Sequence, residues 1–301
     1  MKFPVFLQHY ILLEKQGVEM KTGLVLEGGA MRATYTIGVL DVLMENNIEF
    51  DGIIGVSAGA IHGATYAAKQ PGRNIRYYKK YASDKRFMSL YSLIKTGDLV
   101  GKDFCYNEIP WKLDPFDNET FKNSKTEFYA VAANVETGES EYLRIKDLKD
   151  PIQMEYLRAS ASLPLVSKIV EVDGKKLLDG GMTDSIPLRA FQNMGFEKNV
   201  VVATRSDGFV KEDEQVGLTS VMYKKYPKFV SAVRYRAKMY NDEKAYIIFQ
   251  EKLGNIFFIR PSEELNITRT DTDPEHLEAV YQIGRKDAEK KLSELLEFLA
   301  K

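Results

Sequence analysis

Gly55-Val56-Ser57-Ala58-Gly59 is a G-x-S-x-G pentapeptide set between two runs of different character. Before it, Phe50-Asp51-Gly52-Ile53-Ile54 is a short apolar run suited to a buried strand. After it, Ala58 to Lys69 is Ala-rich and helix-forming. At a sharp strand-to-helix turn the serine hydroxyl is lifted to the C-terminal edge of the strand, and flanking glycines let the backbone bend without a Cβ clash. The helix that follows turns its free N–H groups and positive dipole end toward the same edge. The competing reading is a tight βα turn that happens to hold a serine. The pentapeptide alone does not choose between them; the strand-turn-helix setting favours a nucleophile.

Upstream, Gly23-Leu24-Val25-Leu26-Glu27 reads as a strand that runs into Gly28-Gly29-Ala30-Met31-Arg32. A helix follows from about Ala33 to Asn46, with Ile37, Leu40, Leu43 and Met44 on one side. A Gly-rich loop between strand and helix cradles negative charge with backbone N–H groups. A dinucleotide site is the obvious rival but a weak one: there is no G-x-G-x-x-G, and Arg32 is not the Lys-Ser/Thr ending of a P-loop. An oxyanion hole fits better, because adjacent glycines let backbone donors approach a reacting carbonyl. The loop and the Ser57 turn are close in sequence. Their strands are expected as neighbours in a parallel sheet, with both loops at one edge.

Downstream, Gly72 to Tyr91 interleaves Arg73, Arg76, Lys79, Lys80, Lys85 and Arg86 with Tyr77, Tyr78, Tyr81 and Phe87. This is either a solvated helix face with aromatic anchors or a patch for anionic lipid headgroups. Leu93 to Phe121 carries turn signals and is expected as an irregular, lid-forming insertion. Glu127 to Ala133 is a buried strand, turned by Thr137-Gly138-Glu139 into Ser140 to Arg144. Pro151 opens a helix that Ala159-Ser160-Ala161-Ser162-Leu163-Pro164 ends. Ile169 to Val172, Asp173-Gly174 and Lys176 to Leu178 form a tight hairpin. That hairpin delivers Asp179-Gly180-Gly181. Alone, Asp179 reads as an Asp bonded to its own turn; beside Ser57 it reads as half of a shared site. Further on come a strand over Lys198 to Thr204, a polar loop from Arg205 to Leu218, and a mostly helical stretch from Tyr226 to about Gln250. Between Val221 and Met239 there are Lys224, Lys225, Lys228, Arg234, Arg236 and Lys238 and no acid. Asn255 to Arg260 is the last core strand, and Asp273 caps a long helix with Pro274 in its first turn.

The chain of 301 residues is 44% hydrophobic and 28% charged, with a net charge of −1, so no global field favours nucleic acid. A lone cysteine, Cys105, rules out an internal disulfide and suits a reducing compartment. No metal-ligand cluster or repeat occurs, and no apolar run approaches the ~18 residues of a membrane span. Residues 1–19 are an N-terminal extension of open status: Phe3 to Leu13 is apolar but interrupted by Gln8 and His9. Residues 20–301 are expected to form a single domain. The expected location is cytoplasmic, with peripheral contact at anionic membrane.

Glu27-Gly28-Gly29-Ala30-Met31-Arg32, Gly55 to Gly59, Ala159 to Pro164 and Asp179-Gly180-Gly181 together resemble the patatin-like phospholipase family, in order and context, over about Thr22 to Thr204. The resemblance implies a three-layer α/β/α fold with a central, mostly parallel sheet. It also implies a Ser–Asp dyad acting on lipid acyl esters without a cofactor. Carried over, Ser57 is the nucleophile, Asp179 the base, and the amides of Gly28, Gly29 and Ala30 the oxyanion hole, with Arg32 bracing the loop. One departure stands out. The family loop usually reads G-G-G-x-R-G, and here Ala30 and Ala33 replace two glycines.

Three alternatives stay open at this point. An α/β-hydrolase triad would add a histidine, and Ser57, Asp179 and His276 occur in that chain order. Against it, the elbow comes after one convincing strand, and His276 falls in the first turn of a capped helix. His62 lies on the elbow helix about half a turn round from Ser57, and His9 is in the N-terminal extension. The others are a lipid binder that has lost turnover and a regulatory partner using the basic segments.

Overall fold

The computed structural model describes residues 20–213 and 216–301; the expected extension 1–19 and its His9 lie outside them. The strands are β1 (Lys21–Leu26), β2 (Gly52–Val56), β3 (Glu127–Asn134), β4 (Ser140–Ile145), β5 (Val170–Val172), β6 (Lys175–Asp179), β7 (Phe196–Val202) and β8 (Ile256–Ile259). They form one sheet in the order β5-β6-β3-β2-β1-β7-β8, with β4 also paired to β3. The β3-β2-β1-β7-β8 pairings are parallel, whereas β4 and β6 run antiparallel to β3. The helices are α1 (Thr34–Glu45), α2 (Ala58–Ala67), α3 (Arg73–Tyr81), α4 (Leu90–Thr96), α5 (Asn118–Asn123), α6 (Pro151–Ser160), α7 (Leu188–Asn193), α8 (Gly217–Met222), α9 (Pro227–Lys252) and α10 (Pro274–Ala300).

The central strands are apolar throughout because both faces are covered. Leu24, Val25 and Leu26 of β1 have no solvent exposure. Alternation sends Leu24, Leu26 and Ile53 to one face, where Tyr35, Leu40 and Leu43 of α1 and Leu277 and Val280 of α10 meet them. Val25, Ile54 and Val56 point to the other face, onto Leu188 and Phe191 of α7 and Tyr240 and Ile247 of α9. The result is three layers, each buried side chain of this size contributing roughly 1.5–3 kcal/mol relative to exposure. Helix α10 is tied across α1 by two buried hydroxyl–carboxyl bonds, Tyr35 to Asp287 at 3.1 Å and Tyr281 to Asp41 at 2.8 Å. No helix among the described residues is long and apolar enough to cross a membrane.

One stretch differs from expectation, and a second falls nearer the plainer of its two readings, a helix face with aromatic anchors. Leu93 to Phe121 is far from irregular: a π-helical segment, Phe104–Leu113, runs between α4 and α5 with Pro110 inside it. The wider turn is closed by Asp114 N–H donating to the Ile109 carbonyl at 2.9 Å. The basic, Tyr-rich stretch after Gly72 is largely consumed by the fold. Tyr77, Tyr78 and Phe87 are buried, Arg73 and Arg76 pair with Asp114, Lys79 with Glu278, and Arg86 with Asp84 and Glu108.

Candidate active site

β2 lies between β1 and β3, and its last residue, Val56, is opposite Val131. The chain then leaves the sheet through Ser57, at φ 55° and ψ −125°. A residue with a Cβ at such an angle stores on the order of 1–3 kcal/mol of strain. Its neighbour Gly59 lets α2 come close to the end of β1: a Cβ there would lie 2.6 Å from the Leu26 carbonyl oxygen. A serine at a helix N-cap ordinarily folds its oxygen back onto the first-turn N–H groups. Ser57 makes no such bond, so its hydroxyl is left for other partners. Its backbone N–H donates to Oγ of the buried Ser160 at 2.9 Å.

Pairing of β3 with β2 stops at Val131, and the next residue, Ala132, pairs with Asp179 of β6. Because β4 occupies the opposite edge of β3 over the same residues, β6 meets β2 end to end on one edge. That register sets Asp179 beside Ser57. Asp179 N–H donates to the Ser162 carbonyl at 2.8 Å, and Asp179 Oδ1 accepts Gly181 N–H at 2.8 Å. Oδ2 is buried without a hydrogen-bond partner among the described residues. Burial raises the Asp179 pKa above the usual carboxylate value. The Ser57 hydroxyl, the Gly181 N–H and the charges of Arg236 and Arg269 pull the other way. The hydroxyl thus acts on the carboxylate while falling short of a well-aligned bond, as catalytic pairs often do before substrate tightens them. Sequence alone assigns no role to Ser160 or Ser162. Their signal was two small hydroxyl residues at a helix end, and the fold uses that end to hold both members of the pair.

The loop after β1 completes the edge. A Cβ at Gly28 would sit 3.1 Å from Ser57 Cβ, so glycine is what allows the loop against the elbow. Ala30 adopts φ 49°, the left-handed region, whereas Ala33 sits at an ordinary φ of −68°. The N–H groups of Gly28, Gly29 and Ala30 donate to no acceptor among the described residues. Glu27, which reads in the sequence only as the end of a strand, braces this loop. Glu27 accepts Thr204 N–H at 2.6 Å and Tyr240 O–H at 2.9 Å, and Thr204 Oγ1 donates to the Gly28 carbonyl at 3.2 Å. Burial raises the Glu27 pKa against those donors. Arg32 is itself buried, and its Nε has no partner among the described residues. Burial first, then Arg205 and Arg269, bring its pKa down to about 10.

The profile of a family described as patatin-like phospholipase matches residues 24–191, more than half of the chain. The chain belongs to the patatin-like phospholipase family. A second profile, described as a domain of unknown function (DUF6363), matches residues 226–300. The chain is 24% identical to the uncharacterized protein YjjU of Escherichia coli (strain K12) over 278 residues, 88% of this chain and 75% of that one. It is 28% identical to Lysophospholipase NTE1 of Saccharomyces cerevisiae (strain ATCC 204508 / S288c) over 178 residues, 58% of this chain and 10% of that protein. It therefore spans only a tenth of that lysophospholipase. Among solved structures, VipD from Legionella pneumophila aligns over 92% of this chain and 67% of its own, at a TM-score of 0.45 and 14% identity.

In this patatin-like chain two cavities meet at Ser57 and Ala30. One, of about 130 Å³, is apolar and is walled by side chains such as Ile61, Phe87, Leu99, Ile109, Phe116 and Leu157. The π-helical segment supplies part of that wall, which gives the Leu93–Phe121 insertion a place at the site. The other, of about 60 Å³, holds Asp179 and Glu27 among Arg32, Arg205, Lys211, Arg236 and Arg269. The basic run on α9 does not form one surface face: Arg236 turns inward, its Nε donating to the Gly181 carbonyl at 2.6 Å, while Lys238 pairs with Asp242. No histidine lines either cavity among the described residues. His276 is exposed and contacts Asp271 at 3.3 Å. His62 is fully buried beside Tyr78, and burial drives its pKa down to about 3. Neither supplies the third member of an α/β-hydrolase triad. Among the described residues no group of three or more side chains is arranged to hold a metal ion.

Proposed function

We propose that this chain, read as one domain over residues 20–301, is a serine acyl hydrolase of lipid esters that works through Ser57 and Asp179. The observation that carries the proposal is the position of Ser57 at the junction of an apolar arm and a polar, cationic arm, with a buried carboxylate at its side. An acyl chain fits the first arm and the alcohol side of the ester the second. As Ser57 Oγ attacks the carbonyl carbon, Asp179 takes the hydroxyl proton. The carbonyl oxygen gains its negative charge facing the N–H groups of the Gly28–Ala30 loop, a kind of interaction worth roughly 2.7–4 kcal/mol per donor. The ester C–O bond then breaks, the proton on Asp179 passes to the leaving alkoxide, and the acyl group stays on Ser57. Water attacks the acyl-enzyme with Asp179 again as base, and Ser57 regains its proton. A raised pKa makes Asp179 a stronger base than an exposed carboxylate.

The same reading includes contact with an anionic lipid surface at the mouth of the apolar arm. Helix α4 presents Leu90 and Ile94 to solvent, Ile94 at 86% exposure, with Lys85 and Lys95 over the Tyr91 ring. The chain runs from α4 straight into Leu99 and Val100 of the cavity wall. Exposed apolar side chains beside lysines suit insertion at a negatively charged interface.

A fluorophosphonate probe should label the protein at Ser57 and leave Ser57→Ala unlabelled. The labelling rate should rise with pH through a limb above the ordinary carboxylate pKa of about 4, because Asp179 must be ionised to act. In Asp179→Asn, folded by circular dichroism, the limb should vanish and the rate fall by several orders of magnitude. Labelling that persists in Ser57→Ala would sink the assignment. Binding of a p-nitrophenyl acyl ester without turnover would favour a lipid binder.

A further inference from the structure

The proposed base is held by a chain of hydrogen bonds that ends on a distant helix. Asp179 Oδ1 accepts the Gly181 N–H at 2.8 Å. The Gly181 carbonyl accepts two donors in turn, Ser185 Oγ at 3.0 Å and Arg236 Nε at 2.6 Å. The Ser185 N–H donates to Glu243 Oε2 at 3.2 Å, and the Ile186 N–H donates to the same oxygen at 3.1 Å. Arg236 and Glu243 both lie on α9, about two turns apart. One helix therefore grips the loop at both ends, Gly181 and Ser185-Ile186. From the other side β4 holds the middle: Tyr142 O–H donates to Asp184 Oδ2 at 2.8 Å, and Ser140 Oγ donates to Thr183 Oγ1 at 2.7 Å. Between Asp179 and α7 the only regular structure among the described residues is the short 3₁₀ turn Gly180–Met182, so these side-chain bonds set the shape of the loop.

Glu243 also lies against Asp184, and the two carboxyls are hydrogen-bonded to each other. Burial raises the pKa of both, and the charge of Asp184 raises Glu243 further, enough to leave a proton on the pair at neutral pH. The groups facing the pair are Tyr142 from β4, Arg189 from α7, and Tyr235, Lys238, Asp242 and Tyr246 from α9. Lys238 pairs with Asp242, and Arg189 lies over the Tyr246 ring at 3.5 Å. The crowding of the two carboxyls is therefore relieved chiefly by their shared proton. A protonated Glu243 donates to Asp184 through one oxygen and accepts the Ser185 and Ile186 N–H groups on the other. A glutamine amide has the same two capacities.

We infer that Glu243 is a positioning residue for Asp179: it holds the loop that holds the base, and this is a use for the C-terminal stretch 226–300, matched as a domain of unknown function. The inference rests on the hydrolase reading above. Without Glu243 two backbone N–H groups lose their acceptor and the loop relaxes, carrying the Asp179 carboxyl off its line to Ser57. A misplacement of about 1 Å can cost on the order of a hundredfold in rate. Glu243 lines neither of the cavities that meet at Ser57, so substrate binding should be spared.

The test measures kcat and KM for a p-nitrophenyl acyl ester, with kcat expressed per Ser57 labelled at completion by a fluorophosphonate, which discounts unfolded molecules. Glu243→Ala should lose at least tenfold in kcat with KM within twofold of wild type. Glu243→Gln should recover to within threefold of wild type, because the amide repeats the hydrogen bonds of the protonated carboxyl. A role in stability alone would change the number of labelled sites and leave kcat per site untouched. A kcat per site within twofold of wild type in Glu243→Ala overturns the assignment, and so does a Gln variant as slow as the Ala variant. If Glu243→Ala does not fold, Ser185→Ala takes its place, since it removes the hydroxyl link to the Gly181 carbonyl. A fivefold loss of kcat at constant KM then supports the chain of bonds, and a kcat within twofold of wild type overturns it. If wild type neither labels nor turns over the ester, the hydrolase reading has failed, and the grip of Glu243 is judged by hydrogen exchange at the 181–186 amides. Exchange at least tenfold faster in Glu243→Ala and restored in Glu243→Gln supports it. Equal exchange in wild type and Glu243→Ala removes it.

Discussion

Two strand-to-helix turns stand side by side at one edge of the sheet, and both hold a residue with a Cβ at positive φ: Ala30 at 49° and Ser57 at 55°. The backbone device is shared, but what it presents is different. At Ser57 the turn presents a hydroxyl, kept off the helix cap, with the neighbouring N–H fixed by Ser160 and the Asp179 carboxyl set beside it by strand register. At Ala30 the turn presents backbone N–H groups, and the methyl group adds no chemistry. Strain at an active site can therefore serve a side chain, whose identity then cannot change, or a run of amides, for which glycine would do as well.

The sharpest way to separate these is Ser57→Gly. Glycine takes the same backbone angles without a Cβ penalty, so the fold should gain roughly 1–2 kcal/mol. Esterase activity should fall by at least about a thousandfold, as loss of a nucleophile does. Chemical denaturation beside an acyl ester assay reads both. A lower denaturation midpoint would mean that the elbow stores no strain, and the parallel with Ala30 would collapse.

Ser160→Ala probes the support behind the elbow. It leaves the buried Ser57 N–H without its acceptor, which costs about 1–3 kcal/mol. With the elbow less firmly held, turnover should drop about tenfold, roughly 1.4 kcal/mol of barrier, while KM changes little. An unchanged denaturation midpoint together with full activity would show that the strand and helix position Ser57 unaided.

Much of this edge was legible before the structure. Ser57, Asp179 and the Gly28–Ala30 loop each combine a strand end with glycine, and those signals are local. The fold class was implied by the family resemblance that these motifs carry. What stayed hidden depends on partners far along the chain. Arg73 and Arg76 could be read as a solvated helix face or a lipid patch, because their carboxylate, Asp114, lies 38 residues beyond Arg76 and nothing local points to it. Lys79 finds Glu278 at a separation of 199 residues. Ile109-Pro110-Trp111 reads as a turn signal, yet Pro110 lies inside a π-helical segment. Arg32 read as a loop brace, Arg205 as the start of a polar loop and Arg236 as part of a basic run, and nothing pointed to Arg269; only tertiary packing gathers them at one cavity. Glu27 is the clearest miss, since a carboxyl at the end of a strand gives no hint that Thr204 and Tyr240 will close on it.

The smallest effect, and the finest test of the comparison, is at the other turn. Ala30→Gly removes the penalty of about 1–2 kcal/mol that a Cβ brings to the left-handed region. Against this, glycine adds roughly 0.4–1 kcal/mol of unfolded-state freedom that folding must remove. The difference should leave the variant more stable by about 0.5 kcal/mol, with activity within twofold of wild type because no N–H group is lost. Ala33→Gly is the matched control. At φ −68° there is no penalty to relieve, so the same substitution should destabilise by about 0.5–1 kcal/mol. Opposite signs at these two positions would assign the Ala30 effect to its backbone angle rather than to glycine in general. A tenfold gain in rate for Ala30→Gly would instead mean that the methyl group holds the loop away from the developing oxyanion. In that case the Ala30 turn, like the Ser57 turn, would have a side chain whose identity matters to the chemistry.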